Sequence, residues 1–201
     1  MTKIFNFISN SKTEMKLVDF YLPDRSDKNT LHSYLDLYQQ VLEKKQDSAK
    51  RVLEIGVQRG GSIKMWHDFF QNAEVHGLDI MGHGEMWPDL FNHPRIHLRT
   101  SVDAYKEEFV NREFLDKNIR FDFILDDGPH TLISMMHFLR YYIRLLKDDG
   151  ILIIEDIQDI DWIKQLVHEI PGNLLPCCKV YDLRGNKGRY DDIVLVIDKN
   201  V

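Results

Sequence analysis

Short apolar runs alternate with helix-patterned stretches along most of this chain, and no other feature narrows its fold so far. The runs are Val52-Leu53-Glu54-Ile55, Val75-His76-Gly77-Leu78-Asp79, Ile96-His97-Leu98, Phe121-Asp122-Phe123-Ile124-Leu125 and Ile151-Leu152-Ile153-Ile154. Between them Ile63, Trp66 and Phe70 mark one helix and Tyr105 to Leu115 a second. A third runs from Leu132 to Leu146, ended by Asp149-Gly150, and a fourth spans Asp161 to Ile170. Strands joined through helices must run parallel, because the crossover returns the chain to the same end of the sheet. An apolar run near Val180, a polar loop over 184–189 and the run Ile193 to Ile197 then predict an antiparallel hairpin. The expectation is an α/β fold, a doubly wound and mostly parallel seven-stranded sheet finished by a C-terminal antiparallel hairpin.

Ahead of the first run the pattern is weaker. Residues 1–30 read as a polar lead-in with the turn-prone stretch Pro23-Asp24-Arg25-Ser26-Asp27. Leu31, Tyr34, Leu35, Tyr38, Val41 and Leu42 then recur at helical spacing, predicting an amphipathic helix over about residues 30–45. With 201 residues the chain can bury one sizeable core and is short for two. We therefore expect a single domain over 1–201, with lead-in and helix in 1–45 and a ligand-binding core in 50–201.

A net charge of −6 leaves no basic excess to displace counterions, which argues against nucleic acid as a partner. Cys177 and Cys178 adjoin in sequence and cannot build a disulfide framework, so a reducing, cytosolic setting is expected. The first sixteen residues interrupt their apolar positions with Asn, Ser and charge, and read neither as a signal peptide nor as a membrane span. Exposed edges beside the terminal hairpin leave room for a homodimer.

In open α/β sheets ligands bind beyond the carboxyl ends of the strands, so the residues just after each run carry the functional reading. After the first comes Glu54-Ile55-Gly56-Val57-Gln58-Arg59-Gly60-Gly61-Ser62. Its glycines let the backbone turn tightly against a ligand, and Ser62 is placed to cap the following helix. Gln58 stands where a dinucleotide fingerprint has its second glycine, so a nicotinamide enzyme is disfavoured. A purely structural turn is the alternative. Asp79 closes the second run, where an acid can accept both hydrogen bonds of a ribose diol, or else cap a turn.

The densest polar feature is Leu125-Asp126-Asp127-Gly128-Pro129-His130-Thr131, together with Ile154-Glu155-Asp156 after the next run. Carboxylates clustered in a partly buried cleft repel unless something positive joins them, and an oxygen-rich set selects a hard cation such as Mg2+. Adjacent strand residues face opposite ways and can share one ion only where the chain has turned into its loop, which ranks Asp127, Glu155 and Asp156 above Asp126 as metal ligands. His130, three residues after Asp127, can accept a proton near neutral pH or cap the helix from Thr131. His67, His76, His83, His93, His97, His137 and His168 show no metal-ligand spacing.

These residues resemble the metal-dependent class I O-methyltransferases of the macrocin and mycinamicin type, related to the cephalosporin hydroxylase-like family. The resemblance runs through Ser26-Asp27-Lys28, His32-Ser33-Tyr34, the segment from Arg51 to Val57, Gly60 to Trp66, Asp126 to Thr131, Ile154 to Ile157 and Asp191-Asp192-Ile193. It implies a Rossmann-like fold that binds S-adenosylmethionine and Mg2+ and methylates a hydroxyl, often on a sugar. Carried over by position, Asp127, Glu155 and Asp156 are the implied metal ligands and His130 the base. Glu54, Gly56, Gly60, Gly61, Ser62, Asp79, Asp103 and Asp126 are the expected cofactor contacts. The family's Gly-Asp-Gln-Ser-Asp stretch reads Arg99-Thr100-Ser101-Val102-Asp103 here, leaving only Asp103. The competing expectations are a metal-independent methyltransferase and a noncatalytic subunit that keeps the cofactor fold.

Overall fold

The computed structural model describes residues 15–200. Five parallel strands, β1 (Arg51–Ile55), β2 (Glu74–Leu78), β3 (Ile96–Arg99), β4 (Phe121–Asp126) and β5 (Leu146–Ile154), are followed by β6 (Cys178–Asp182) and β7 (Ile193–Asp198). The seven-stranded order is β3-β2-β1-β4-β5-β7-β6. β7 runs antiparallel to both neighbours, as the terminal hairpin pattern requires. Helices α1 (Leu35–Leu42), α2 (Gly61–Phe69), α3 (Glu107–Val110), α4 (Leu132–Tyr142), α5 (Ile163–His168) and the short α6 (Arg184–Lys187) complete the chain.

Both sheet faces are covered, so successive strand residues feed two cores. Val52, Phe123, Leu125, Ile151 and Ile153 join α1 and α2 on one face, packing with Tyr38, Trp66, Phe69 and Phe70. Leu53, Ile55, Ile124, Leu152 and Ile154 point the other way, toward Phe114, Phe138, Leu139 and Tyr142. This two-sided burial explains why the central strands read as continuous apolar runs without a polar face. No helix among the described residues is long and apolar enough to cross a membrane.

Three elements differ from the sequence expectation. The first helix starts at Leu35, because Asp27 O accepts the N–H groups of Thr30, Leu31 and His32 in a compact turn. That turn exposes Leu31 to 56% while burying Lys28, His32 and Tyr34. α4 passes into a 3-10 turn over Ile143–Leu145, close to the expected end of the helix, but Lys147-Asp148-Asp149-Gly150 opens β5 rather than ending a helix. Pairing of Phe121 with Leu146, and a hydrogen bond from Lys199 N–H to Gly150 O, draw this segment into the sheet. The third difference is the lead-in, whose described part is anchored on the core through Leu17, with Phe20 and Tyr21 packed against it. Leu17 is fully buried, and the Lys187 ammonium from the β6–β7 loop donates to the carbonyls of Asn29, Thr30 and His32.

Candidate functional site

The parallel strands end together at one edge of the sheet, and the residues after them line a cavity of about 470 Å3. Gly56, Asp79, Asp103, Asp127, His130 and Asp156 all reach its wall, each delivered by the loop after a different strand or by its neighbour. Gln58, His130 and Asp156 hold positive φ angles of 50°, 52° and 55°. Left-handed backbone is uncommon outside glycine, and here it recurs where three strands hand over to the cavity.

Gly56 (φ 84°) sets the distance between two of these loops. A Cβ on it would lie 1.8 Å from the carbonyl oxygen of Asp127, so only glycine lets the β1 and β4 loops touch. Beside it, Asp79 Oδ2 accepts the N–H groups of Val57 (2.7 Å) and Gln58 (2.6 Å), and Oδ1 accepts that of Met81 (2.7 Å). The carboxylate therefore both shapes the β1 loop and faces the cavity. Asp103 Oδ1 receives the Tyr105 N–H at 3.1 Å, and the Tyr105 hydroxyl donates to Asp126. Asp126 sits behind that ring. Burial lifts its carboxyl to about 7, against the pull of the Tyr105 hydrogen bond, with the Glu155 charge adding to the rise.

Other expected cofactor contacts lie away from the wall. Ser62 does not cap α2; left-handed Gly60 (φ 90°) does, and Ser62 sits inside the helix with its hydroxyl on Glu54 Oε2 at 2.7 Å. Trp66 Nε1 donates to the same oxygen at 3.1 Å. Gly60 makes room for Leu90, and Gly61 for the backbone of Arg25. The segment after β2 packs likewise: the guanidinium groups of Arg25 (4.6 Å) and Arg59 (4.3 Å) lie over the Trp87 ring.

The acidic half is organised by a residue that sequence reasoning left in the lead-in. Lys28, 2% exposed, places its ammonium 2.7 Å from Asp127 Oδ2 and 3.5 Å from Glu54 Oε1, and it donates to Glu155 Oε1. Tyr38 donates to the other Glu155 oxygen and Tyr34 to Asp156 Oδ1. His32 Nδ1 lies 2.7 Å from Asp192 Oδ1 and 3.3 Å from Asp156 Oδ1. Lys28, His32, Tyr34 and Asp192 all belong to motifs of the family resemblance, and apart from the helical spacing of Tyr34 that is their sequence signal.

Even with one ammonium among them the carboxylates are under strain. Burial raises Glu54 and Asp127 to about 7 against the attraction of Lys28. Asp156 also rises to about 7, through burial and the neighbouring Glu155, and Glu155 to about 8, through burial and Asp127. Burial, with Lys28 next, pushes the His130 imidazolium below its ordinary range, so the ring is neutral at pH 7. His130 Nε2 stands 3.8 Å from Asp127 Oδ1 and 3.7 Å from Asp156 Oδ2, and its buried Nδ1 has no partner. Thr131 caps α4 through its own hydroxyl, which leaves His130 free of that task.

One ligand atom from each of Asp127, His130 and Asp156 lies within 4.8 Å of the other two. Among the described residues none donates a hydrogen to Asp127 Oδ1 or Asp156 Oδ2, which face this space, whereas both Glu155 oxygens are engaged. Unbalanced negative charge and two free carboxylate oxygens fit a hard cation, which takes few protein ligands and keeps several waters. Glu155 lies deeper than that space, on the Lys28 side.

A family model described as a methyltransferase domain matches residues 53–157. The chain is 29% identical over 144 residues to 8-demethyl-8-alpha-L-rhamnosyl tetracenomycin-C 2'-O-methyltransferase of Streptomyces olivaceus, covering 68% of this chain and 36% of that protein. It is also 29% identical over 143 residues to mycinamicin VI 2''-O-methyltransferase of Micromonospora griseorubida, covering 66% and 33%. The chain thus spans about a third of the length of these curated relatives. Among solved structures, MycE methyltransferase from the mycinamycin biosynthetic pathway, in complex with Mg and SAH, aligns with a TM-score of 0.71. That alignment covers 92% of this chain and 55% of the other at 22% identity, a likeness of fold.

Proposed function

The chain belongs to the methyltransferase-domain family, and from that premise we propose that it transfers the methyl group of S-adenosylmethionine to a hydroxyl of a sugar or glycosylated small molecule, with a divalent cation such as Mg2+. The observation that carries this reading is the shared cavity, which has the nucleoside-type acid Asp79 at one wall and Asp127, His130 and Asp156 at another. Its support on the acceptor side is that both curated relatives are O-methyltransferases, one of them acting on a rhamnosyl compound.

When bound, S-adenosylmethionine supplies a methyl group activated by its sulfonium, and Mg2+ supplies a Lewis acid. Asp127 and Asp156 would hold the cation, while Gly56, Asp79 and Asp103 would hold the cofactor. The protein's own work is alignment and proton management. Asp79, fixed by three backbone N–H groups, keeps its carboxylate aimed at the cavity. His130 takes the acceptor hydroxyl's proton at Nε2, for which its neutral ring is suited at pH 7. Lys28 orients Asp127 and balances Glu155, so we assign Glu155 to the supporting layer rather than to the cation. That same ammonium favours the metal-independent alternative, since it already neutralises part of the cluster.

The test is methyl transfer from labelled S-adenosylmethionine to a panel of glycosides, with Mg2+ and after exhaustive chelation. His130→Ala should lower turnover by about 10^2–10^4 while cofactor affinity stays within about twofold. Undiminished turnover in that variant removes His130 as the base. Full activity after chelation removes the cation, and absence of any cofactor binding removes the whole reading.

A further inference from the structure

A second cluster of ligand-type side chains lies on a face of the same sheet, away from the cavity. β2 and β3 pair in parallel with His76 beside His97, and Glu74 precedes His76 by two residues on the same face. The two imidazoles are 4.9 Å apart at 33°, and Glu74 Oε2 is 3.8 Å from His76 Nε2. One ligand atom from each residue lies within 4.8 Å of the other two. His76 is 6% exposed, the Phe121 ring meets it edge-on at 5.4 Å, and its Nε2 has no hydrogen-bond partner. Among the described residues this buried polar atom faces a carboxylate and a second imidazole and is bonded to neither, a position that an ion can fill.

We propose that Glu74, His76 and His97 form a second metal site, for a zinc-type divalent ion, that ties the edge strand β3 to β2. Two imidazoles and one carboxylate are a set that Zn2+ accepts with an open fourth position, and one that Mg2+, which favours oxygen, does not select. Tetrahedral zinc with bonds of roughly 2.0–2.1 Å needs ligand atoms about 3.4 Å apart, so small side-chain rotations suffice.

The cations nearby are already engaged. Arg51 Nε is 3.0 Å from Glu74 Oε2, the same oxygen that approaches His76, and a carboxylate oxygen keeps a second lone pair for an ion; Arg99 pairs with Glu113 at 3.6 Å while lying over the Phe114 ring. Arg99 Nη1 approaches only the other nitrogen of His76, Nδ1, at 3.5 Å. β3 has four residues and a neighbour on one side only, so a link across these strands secures the least supported edge of the parallel sheet.

The probe is Co2+, titrated into the chelator-stripped protein and read by the visible absorption of a low-symmetry tetrahedral ion, with Zn2+ as competitor and circular dichroism to confirm folding. One Co2+ per chain with that absorption, displaced by Zn2+, is expected in the wild type and in Asp127→Asn/Asp156→Asn. Glu74→Gln and His97→Gln, both at positions with solvent access, should weaken it at least tenfold. No such absorption in the wild type, equal affinity in His97→Gln, or loss in the Asp127→Asn/Asp156→Asn protein alone would each overturn the proposal.

Discussion

Replacing Lys28 by Met removes one charge from the centre of the molecule while keeping most of the apolar stem. The ammonium serves Asp127 at 2.7 Å, Glu155, and Glu54 at 3.5 Å, and both glutamates are 98% or more buried. Removing one partner of a buried ion pair typically costs about 3–5 kcal/mol, because the orphaned charge keeps its desolvation penalty. At about 2–4 °C per kcal/mol for a chain of this size, the melting temperature should fall by roughly 6–20 °C at pH 8. At pH 5.5 the loss should be much smaller. Glu54 and Asp127 near 7, and Glu155 near 8, are then largely protonated in the folded state, so little negative charge is left without a partner. Calorimetric melts of both proteins at the two pH values, in chelator, make the comparison. A loss under about 2 °C at pH 8, or an equal loss at both pH values, refutes the view that Lys28 neutralises this cluster.

The same carboxylates set the pH dependence of the parent protein. Their folded pKa values exceed the unfolded ones, so the folded state binds more protons and stability falls as pH rises through 7–8. In chelator the melting temperature should therefore drop between pH 6 and 9, and saturating Mg2+ should reduce the drop; a flat profile contradicts the assigned shifts. Gly56→Ala puts a Cβ 1.8 Å from Asp127 O at φ 84°, and the backbone strain alone should cost about 1–3 kcal/mol in urea unfolding, with cofactor affinity falling as well. Tyr105→Phe deprives Asp126 of its hydroxyl donor and should destabilise by about 1–3 kcal/mol, less at pH 5.5 where Asp126 is protonated; an unchanged denaturation midpoint at pH 8 would show that bond to be dispensable.

Much of this molecule was legible along the chain, because local pattern and burial coincide in it. All five parallel runs and the terminal hairpin appear as strands, since a sheet covered on both faces demands uninterrupted apolar stretches. Strand ends were legible for the same reason: polar residues directly after an apolar run have to sit at the sheet's edge, which placed Asp79, Asp127, His130 and Asp156 around one cavity. Where a pattern served two purposes it misled. Leu31 continues a helical period yet is exposed, because the turn that delivers Lys28 to the acids interrupts the helix.

What the sequence determined by itself was the order of elements and the side of the sheet on which chemistry collects, both products of short-range periodicity. Partnership was decided by the tertiary structure. Lys28 meets Glu155 across 127 positions, and His32 meets Asp192 across 160. Ser62 turns from helix cap to partner of buried Glu54, and Glu74, His76 and His97 become neighbours only once β2 and β3 are in register. Charge compensation acts over a few ångströms of space whatever the distance along the chain. A lone lysine in a polar lead-in therefore carries no local mark of the acids that it will neutralise.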